Sequence, residues 1–151
     1  MSYRIRPATT ADVPSLVHFN AAMALETEAK TLDHAVLTAG VTGLLRHPDY
    51  GFYLVAETEG GETAGCLMIT YEWSDWRNGL FWWVQSVYVA PEHRGRGVYR
   101  GLYEHVKKTA RDSGTARGFR LYVEEHNDTA QATYRRLGME RTHYLMFEEM
   151  S

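Results

Sequence analysis

One short segment constrains the fold more than any other part of the chain: residues 91–99, which hold two glycines and two arginines. The preceding residues 80–90 are rich in aromatic and β-branched side chains, a composition that favours a strand. The following residues 97–113 predict a helix that ends at Gly114. A strand that leads through a glycine loop into a helix indicates a sheet with helices packed on its faces.

The rest of the chain predicts the order β-α-α-β-β-β-α-β-α-β. Early hairpins give way to strand–helix–strand units, so the fold class is α/β with a central mixed, mostly antiparallel sheet flanked by helices. We expect one domain over residues 1–151. The further predicted strands cover residues 3–6, 52–57, 63–73, 119–124 and 142–148, and the further helices cover 10–28 with Thr10 as N-cap, 33–46 and 128–137.

Charge and composition exclude several classes of protein. The formal net charge is −3, which argues against general nucleic-acid binding, although Arg94, Arg96 and Arg100 form a local basic patch. A single cysteine, Cys66, cannot form an intramolecular disulfide, and we expect a buried, inert thiol. No apolar run reaches the length of a membrane helix, and the charged residues 1–7 do not resemble a signal peptide. We therefore expect a cytoplasmic protein without membrane partners.

The glycine loop has the features of a phosphate-binding site. Gly95 and Gly97 allow the backbone to approach a ligand closely, and the next helix directs its free N–H groups outward. Arg94 and Arg96 add full positive charges. A tight strand-to-helix turn with solvated arginines fits the same residues equally well. A P-loop would need Gly-Lys-Ser/Thr, which is absent, and a Rossmann motif would follow an early first strand.

A second motif begins at Asn127. Four of its residues fall on one stripe of the predicted helix: Asn127, Ala130, Tyr134 and Gly138. Asn127 would cap the helix and Gly138 would end it. Taken alone, this pattern also describes a capped amphipathic helix with a tyrosine in the core.

Together the two motifs resemble the GNAT superfamily of acyl-CoA-dependent N-acetyltransferases. Arg94 and Gly97 match the family loop pattern Gln/Arg-x-x-Gly-x-Gly/Ala, whereas Tyr99 stands where Gly or Ala is usual. We expect the Tyr99 ring to point away from the phosphates, beside Leu102 and Tyr103. The second family pattern, Asn-x-x-Ala-x-x-x-Tyr-x-x-x-Gly followed by an aromatic or aliphatic residue, is matched at Asn127, Ala130, Tyr134, Gly138 and Met139.

The resemblance implies acetyl-CoA as cosubstrate, and we expect no metal. It places the pantetheine arm along the strand end at residues 86–89, in a slot where this strand splays from residues 119–124. A backbone N–H near Val87 would polarise the thioester carbonyl. The binding residues that it implies are Val87, Tyr88, Val89, Arg94, Gly95, Arg96, Gly97, Val98, Tyr99, Asn127 and Tyr134.

The resemblance also makes Tyr134 the general acid for the departing thiolate, although this phenol could instead only hydrogen-bond the sulfur or pack the pocket. A carboxylate would deprotonate the acceptor amine. Glu72 and Glu26 are the preferred candidates, and Gln85 stands where some relatives carry an acid. Each glutamate also fits a solvated surface role, and so do the two remaining candidates, Glu28 and Glu124.

The acceptor is restricted only to an amine: a small molecule, an amino acid or a peptide. The aromatic stretch 71–83 includes Glu72 and Asp75 and would suit a cationic amine, but its rings could equally fill the core or a homodimer interface. The seven histidines show no metal-ligand spacing, and we expect His93 to be solvated. A non-catalytic acyl-CoA-binding or sensing domain and an anion-binding or nucleic-acid-binding module are the alternatives to an enzyme.

Overall fold

The computed structural model describes residues 2–151, which divide into one compact unit that ends at Leu121 and a second that begins at Tyr122. The second unit contains one helix, α4 (Asp128–Arg136). The strands of the first unit are β1 (Tyr3–Pro7), β2 (Gly51–Thr58), β3 (Thr63–Ser74), β4 (Gly79–Val89) and β5 (Ala116–Arg120), and its helices are α1 (Val13–Glu28), α2 (His34–Arg46) and α3 (Val98–Ser113).

The five strands form one sheet in the order β1-β2-β3-β4-β5. The first four strands pair antiparallel, and β5 pairs parallel to β4. This confirms the predicted mixed, mostly antiparallel sheet. The parallel pairing is possible because α3 carries the chain back between β4 and β5.

Helices pack on both faces of the sheet. Cys66 of β3 points into a cluster with Leu16 of α1 and Val41 of α2. Its neighbour Gly65 lies on the opposite face, where an added Cβ would be 3.1 Å from Val98 Cγ1 of α3. The alternation of a strand therefore divides the core into two layers. Cys66 is fully buried, and burial raises its pKa to about 12, which fits the expected inert thiol.

Most predicted element boundaries agree with the structure to within one or two residues. Thr9, one residue before the predicted cap, is the N-cap of a short 3-10 turn (Thr10–Asp12) that leads into α1. Its N–H donates to the Asp12 carboxylate at 2.7 Å, which explains the earlier start. The strand predicted over residues 119–124 instead covers Ala116–Arg120, because the chain turns at Gly114 and enters the sheet immediately.

The last predicted strand, residues 142–148, is wrong. Residues 139–151 form neither a helix nor a strand. The unit from Tyr122 onward contains no other strand, and a strand is stable only when its backbone groups find a partner. A separate finding concerns the helices: within residues 2–151, none is both long and apolar enough to cross a bilayer.

Candidate active site

The end of β4 contains a β-bulge. Cys66 pairs with Tyr88 and Met68 pairs with Gln85, so β4 has one residue more than β3 across this interval. Ser86 lies inside the bulge with φ +49°, a left-handed conformation that is uncommon for a non-glycine residue. A bulge bends the strand and changes the direction of its backbone groups. The bulge thus changes the direction in which the backbone N–H groups around Val87 point.

Next to the bulge, β4 has an open edge. The pairing of β4 with β5 ends at Trp83 opposite Arg120, and among residues 2–121 no strand pairs with residues 84–89 on the β5 side. Backbone N–H and C=O groups require hydrogen-bond partners. An extended ligand that lies along this edge could supply them, as the predicted slot requires.

Beyond β4 the chain forms the glycine loop. Pro91–His93 is a 3-10 turn, and Gly95 and Gly97 follow with φ +74° and +78°. Glycine adopts this region without the steric cost that a Cβ brings. Gly97 is the N-cap of α3 and has no side chain to cover the first turn. The amides at the start of α3 can therefore meet an anion.

Arg94 is held at the loop by three contacts. Its Nη2 lies 2.9 Å from Glu26 Oε2, and its Nε donates to the Val89 carbonyl at 2.9 Å. Its Cζ lies 5.4 Å from the centroid of the Tyr88 ring, and Tyr88 Oη donates to the other Glu26 oxygen at 2.9 Å. The hydrogen bonds from Arg94 and then Tyr88 lower the pKa of Glu26. Glu26 is therefore a carboxylate of reduced basicity.

The Tyr99 ring lies beside Tyr103 on α3, one of the two neighbours that we expect for it. Its ring stacks on that of Tyr103 one turn later, with centroids 6.0 Å apart and planes 7° from parallel. Tyr103 is buried in the core. The bulky residue at the family's Gly/Ala position is thus accommodated by packing along α3. The sequence prediction of a neighbour at Tyr103 is confirmed.

Glu72 of β3, the second preferred candidate for the base, also has strong partners. Trp83 Nε1 donates to its Oε1 at 2.7 Å, and Arg120 Nη1 contacts both of its oxygens at 3.2 Å. The Arg120 Cζ stacks 3.6 Å above the Phe81 ring. Because these partners come from β4 and β5, Glu72 ties together the three strands at that end of the sheet. The further carboxylates Glu28 and Glu124 are exposed, and Gln85 donates to Thr70 Oγ1.

The aromatic side chains of the stretch 71–83 differ widely in exposure. Trp82 and Phe81 are buried in the core, as the packing interpretation predicts. Trp73 and Trp76, at the β3–β4 turn, are exposed by 61% and 90%. Tyr71 and Trp83 are partly buried, so Trp73 and Trp76 are the most accessible rings of this stretch for an acceptor or a second protein.

In the second unit, the predicted cap of α4 is present. Asn127 Oδ1 accepts a hydrogen bond from Ala130 N at 3.1 Å, and Gly138 follows the helix with φ +101°. Tyr134 lies half-buried on α4, and burial raises the pKa of its phenol. The phenol therefore keeps its proton well above neutral pH.

The prediction of a solvated His93 is wrong, because its side chain is buried. The 3-10 turn directs the ring inward, where Nδ1 lies 3.1 Å from Tyr3 Oη. Nothing in the local sequence signals this contact, since 90 residues separate the two positions. The Glu26–Arg94 pair, 68 residues apart, has no sequence signal either.

A family comparison agrees with this geometry. Residues 18–139 match the model described as the acetyltransferase (GNAT) family. The chain belongs to the GNAT family. The match includes the bulge, the glycine loop and α4, so the resemblance in both motifs reflects membership of this family.

Individual relatives are acetyltransferases as well. A possible acetyltransferase from Clostridium difficile 630 is 42% identical, with a TM-score of 0.92 over 100% of this GNAT chain and 99% of that one. Streptothricin acetyltransferase from Streptomyces lavendulae is 36% identical over 56% of this chain and 42% of its own length. Thialysine N-epsilon-acetyltransferase from Sus scrofa is 34% identical over 52% of this chain and 48% of its own length. The matches thus span less than half of each curated relative.

Proposed function

We propose that this GNAT protein transfers an acetyl group from acetyl-CoA to a primary amine by direct attack. One observation carries the proposal: the open, bulged half of β4 runs directly into a left-handed glycine loop at the start of a helix. An extended thioester with a diphosphate at one end fits such an edge and loop. We also propose that residues 1–151 act as one N-acetyltransferase domain, since the matched family region, residues 18–139, crosses from one unit into the other.

The loop residues would hold the diphosphate. The amides of Gly95, Gly97 and Val98 would donate to phosphate oxygens, and Arg96 would add charge-assisted contacts. Arg94, already oriented by the Val89 carbonyl, would do the same. Any side chain at Gly97 would strain the loop, because φ is +78° there. This supports a backbone cradle at the start of α3.

The open edge of β4 would hold the pantetheine arm. Main-chain groups of Tyr88 and Val89 would pair with its amides, and the N–H near Val87 would stabilise negative charge on the thioester oxygen. Asn127 is already engaged with Ala130 N, so we propose that it acts chiefly as the cap of α4 and adds at most a secondary contact to the cosubstrate.

The reaction requires two proton movements. The neutral amine nitrogen attacks the thioester carbonyl carbon, the C–N bond forms, and the C–S bond breaks. A base, directly or through water, accepts the proton that the amine loses, and the Tyr134 phenol donates one to the sulfur that leaves. The Tyr134 phenol is protonated at neutral pH, since burial raises its pKa, so it carries a proton to give.

Neither of the two candidate bases is well placed to take the proton directly. The contact with Arg94 lowers the pKa of Glu26 and so reduces its power to accept a proton. Glu72 pairs with Phe81, which precedes Val87 by six residues in β4, and this is about 20 Å along an extended strand. We therefore propose that water carries the proton away from the amine and that Glu26 acts chiefly on Arg94.

The names of the relatives suggest which amines to test first. One relative acetylates streptothricin and another the Nε atom of thialysine. We propose that the acceptor of this protein is a cationic primary amine of that kind. Both a small molecule and a peptide can carry such an amine.

The decisive experiment combines calorimetry with a turnover assay. Purified protein should bind coenzyme A with one-to-one stoichiometry, and acetyl-CoA with streptothricin, thialysine or lysine should release free thiol faster than acetyl-CoA alone. Saturable coenzyme A binding without turnover on a wide amine panel would favour the non-catalytic acyl-CoA-binding domain. If titration with coenzyme A and with acetyl-CoA produced no heat of binding, both the enzyme proposal and the acyl-CoA-binding alternative would be wrong.

A further inference from the structure

Three side chains with metal-ligand atoms meet beside the glycine loop. Glu62 belongs to the turn between β2 and β3, whereas Glu92 and His93 belong to the 3-10 turn after β4. One ligand atom of each lies within 4.8 Å of the other two. Two backbone segments that are 30 residues apart thus direct ligand-type groups to one point.

The imidazole of His93 provides an independent sign of a ligand. Its side chain is only 6% exposed, and within residues 2–151 its buried Nε2 has no hydrogen-bond partner. Glu62 Oε1 is the nearby acceptor, at 3.6 Å, which is beyond hydrogen-bond distance. Leaving a buried polar atom without a partner is costly. A bound group that contacts Nε2 would remove this cost.

The other ring nitrogen is arranged as in a metal-binding histidine. Nδ1 lies 3.1 Å from Tyr3 Oη, and the two rings meet edge to face. With the proton on Nδ1 and donated to Tyr3, the Nε2 lone pair points toward the carboxylates. Ligating histidines commonly donate their second N–H in this way, which fixes the tautomer and the ring orientation.

The separation between the ligand atoms fits a small divalent cation. Two ligands about 2.1 Å from a tetrahedral Zn²⁺ lie about 3.4 Å apart, and Nε2 and Glu62 Oε1 are 3.6 Å apart. Glu62 and Glu92 are exposed, so small rotations of their side chains can complete the set. One imidazole and two carboxylates also balance a charge of +2.

We propose that Glu62, Glu92 and His93 bind a divalent transition-metal cation of the Zn²⁺ class. The cation would clamp the β2–β3 turn to the segment that immediately precedes Arg94. It would therefore stabilise the base of the glycine loop without taking part in acetyl transfer. This inference stands apart from the proposed activity, because cation binding is measured without acetyl-CoA or an amine.

The test uses untagged, metal-free protein titrated with ZnCl₂ in a calorimeter, and with CoCl₂ monitored by visible absorption. We expect one site per chain, a tetrahedral Co²⁺ spectrum and a rise in Tm of about 5 °C at a hundredfold excess over Kd. Glu62→Gln and Glu92→Gln should each weaken Zn²⁺ binding by about tenfold or more. Both positions are exposed, so these variants should fold normally.

The chain provides its own control. Glu124, Glu125 and His126 form a second cluster of the same composition, but all three are exposed. His126→Gln should leave Zn²⁺ affinity, the Co²⁺ spectrum and the Tm shift unchanged. The proposal is overturned if Zn²⁺ produces no heat, if both glutamine variants bind Zn²⁺ as the natural protein does, or if His126→Gln abolishes binding. If Zn²⁺ does not bind, the contacts among Tyr3, His93 and Glu62 serve packing only.

Discussion

The Arg94 Nη2 and the Glu26 Oε2 lie 2.9 Å apart and join the end of α1 to the glycine loop. Both side chains are about half exposed, so the pair itself adds little stability. Arg94 keeps its orientation through the Val89 carbonyl as well. The principal effect of Glu26 is therefore a negative charge placed beside the proposed diphosphate site.

Replacing Glu26 should strengthen cosubstrate binding. In Glu26→Gln the negative charge is lost while Arg94 stays anchored, so we expect the Kd for coenzyme A to fall by about threefold at low salt. We expect kcat to change by less than about tenfold, because a carboxylate whose pKa is lowered is a poor base. Calorimetry and initial rates measure the two effects separately. Glu28→Gln, in the same last turn of α1, is the control, and a hundredfold loss of kcat with normal binding would instead identify Glu26 as the base.

Two glycines of α3 offer a matched pair. Gly97 at the start of the helix and Gly114 at its end have φ of +78° and +71°, and neither would have a clash from an added Cβ. Alanine at either position should cost about 1 kcal/mol of folding stability. Only Gly97→Ala should also weaken coenzyme A binding, which calorimetry would detect. Equal affinity in both variants would contradict the proposed cradle.

Tyr134→Phe should separate chemistry from binding. Removal of the phenol should lower kcat by about a hundredfold or more and leave the Kd for coenzyme A within about twofold. Since burial raises the pKa of Tyr134 above the ordinary value of 10.0, its ionisation should produce little loss of kcat between neutral pH and about pH 9. A decline of kcat in this range that disappears in the variant would show that the phenol titrates lower than its burial implies.

A glycine substitution in β5 should disturb packing next to β4. An added Cβ at Gly118 would lie 2.8 Å from Cε1 of the buried Phe81, so Gly118→Ala should reduce stability by about 1–3 kcal/mol. Gly40 in α2 meets nothing within 4 Å, so Gly40→Ala should raise stability by about 0.5–1 kcal/mol. Urea unfolding of both variants measures these opposite signs. A stable Gly118→Ala protein would mean that Phe81 can move freely.

Stability should depend on pH through Asp12. Hydrogen bonds from Arg6 lower the pKa of this buried carboxyl below its ordinary value of 3.8. A lowered pKa in the folded state contributes stability above the unfolded value, and that stability is lost as pH falls below about 4. Asp12→Asn should therefore cost about 2 kcal/mol at pH 7, and the difference should shrink below pH 4.

Chemical denaturation at several pH values would measure this prediction. The exposed pair of Arg100 and Glu104 is the matched control, because Glu104→Gln should change stability little at any of these pH values. A constant difference between Asp12→Asn and the natural protein from pH 7 to pH 3 would contradict the assignment.

Local patterns were enough for most of the fold. Neighbouring residues are enough to predict the strand alternation, the glycine loop and the helix ends at Gly114 and Gly138. This is because propensities and caps act over a few positions. The family followed from two such local motifs, at Arg94–Gly97 and Asn127–Gly138. The final strand was mispredicted because strand formation requires a partner elsewhere in the chain.

The amino-acid sequence alone therefore determined the mixed sheet, the order of the elements as far as α4, the glycine loop between β4 and α3, and membership of the GNAT family. Only the tertiary structure placed Glu26 on Arg94, Glu72 between Trp83 and Arg120, and His93 beside Tyr3 and Glu62. These contacts join positions 11 to 90 residues apart. No local propensity encodes such a distance, because the sheet register and the packing of the helices decide which side chains meet.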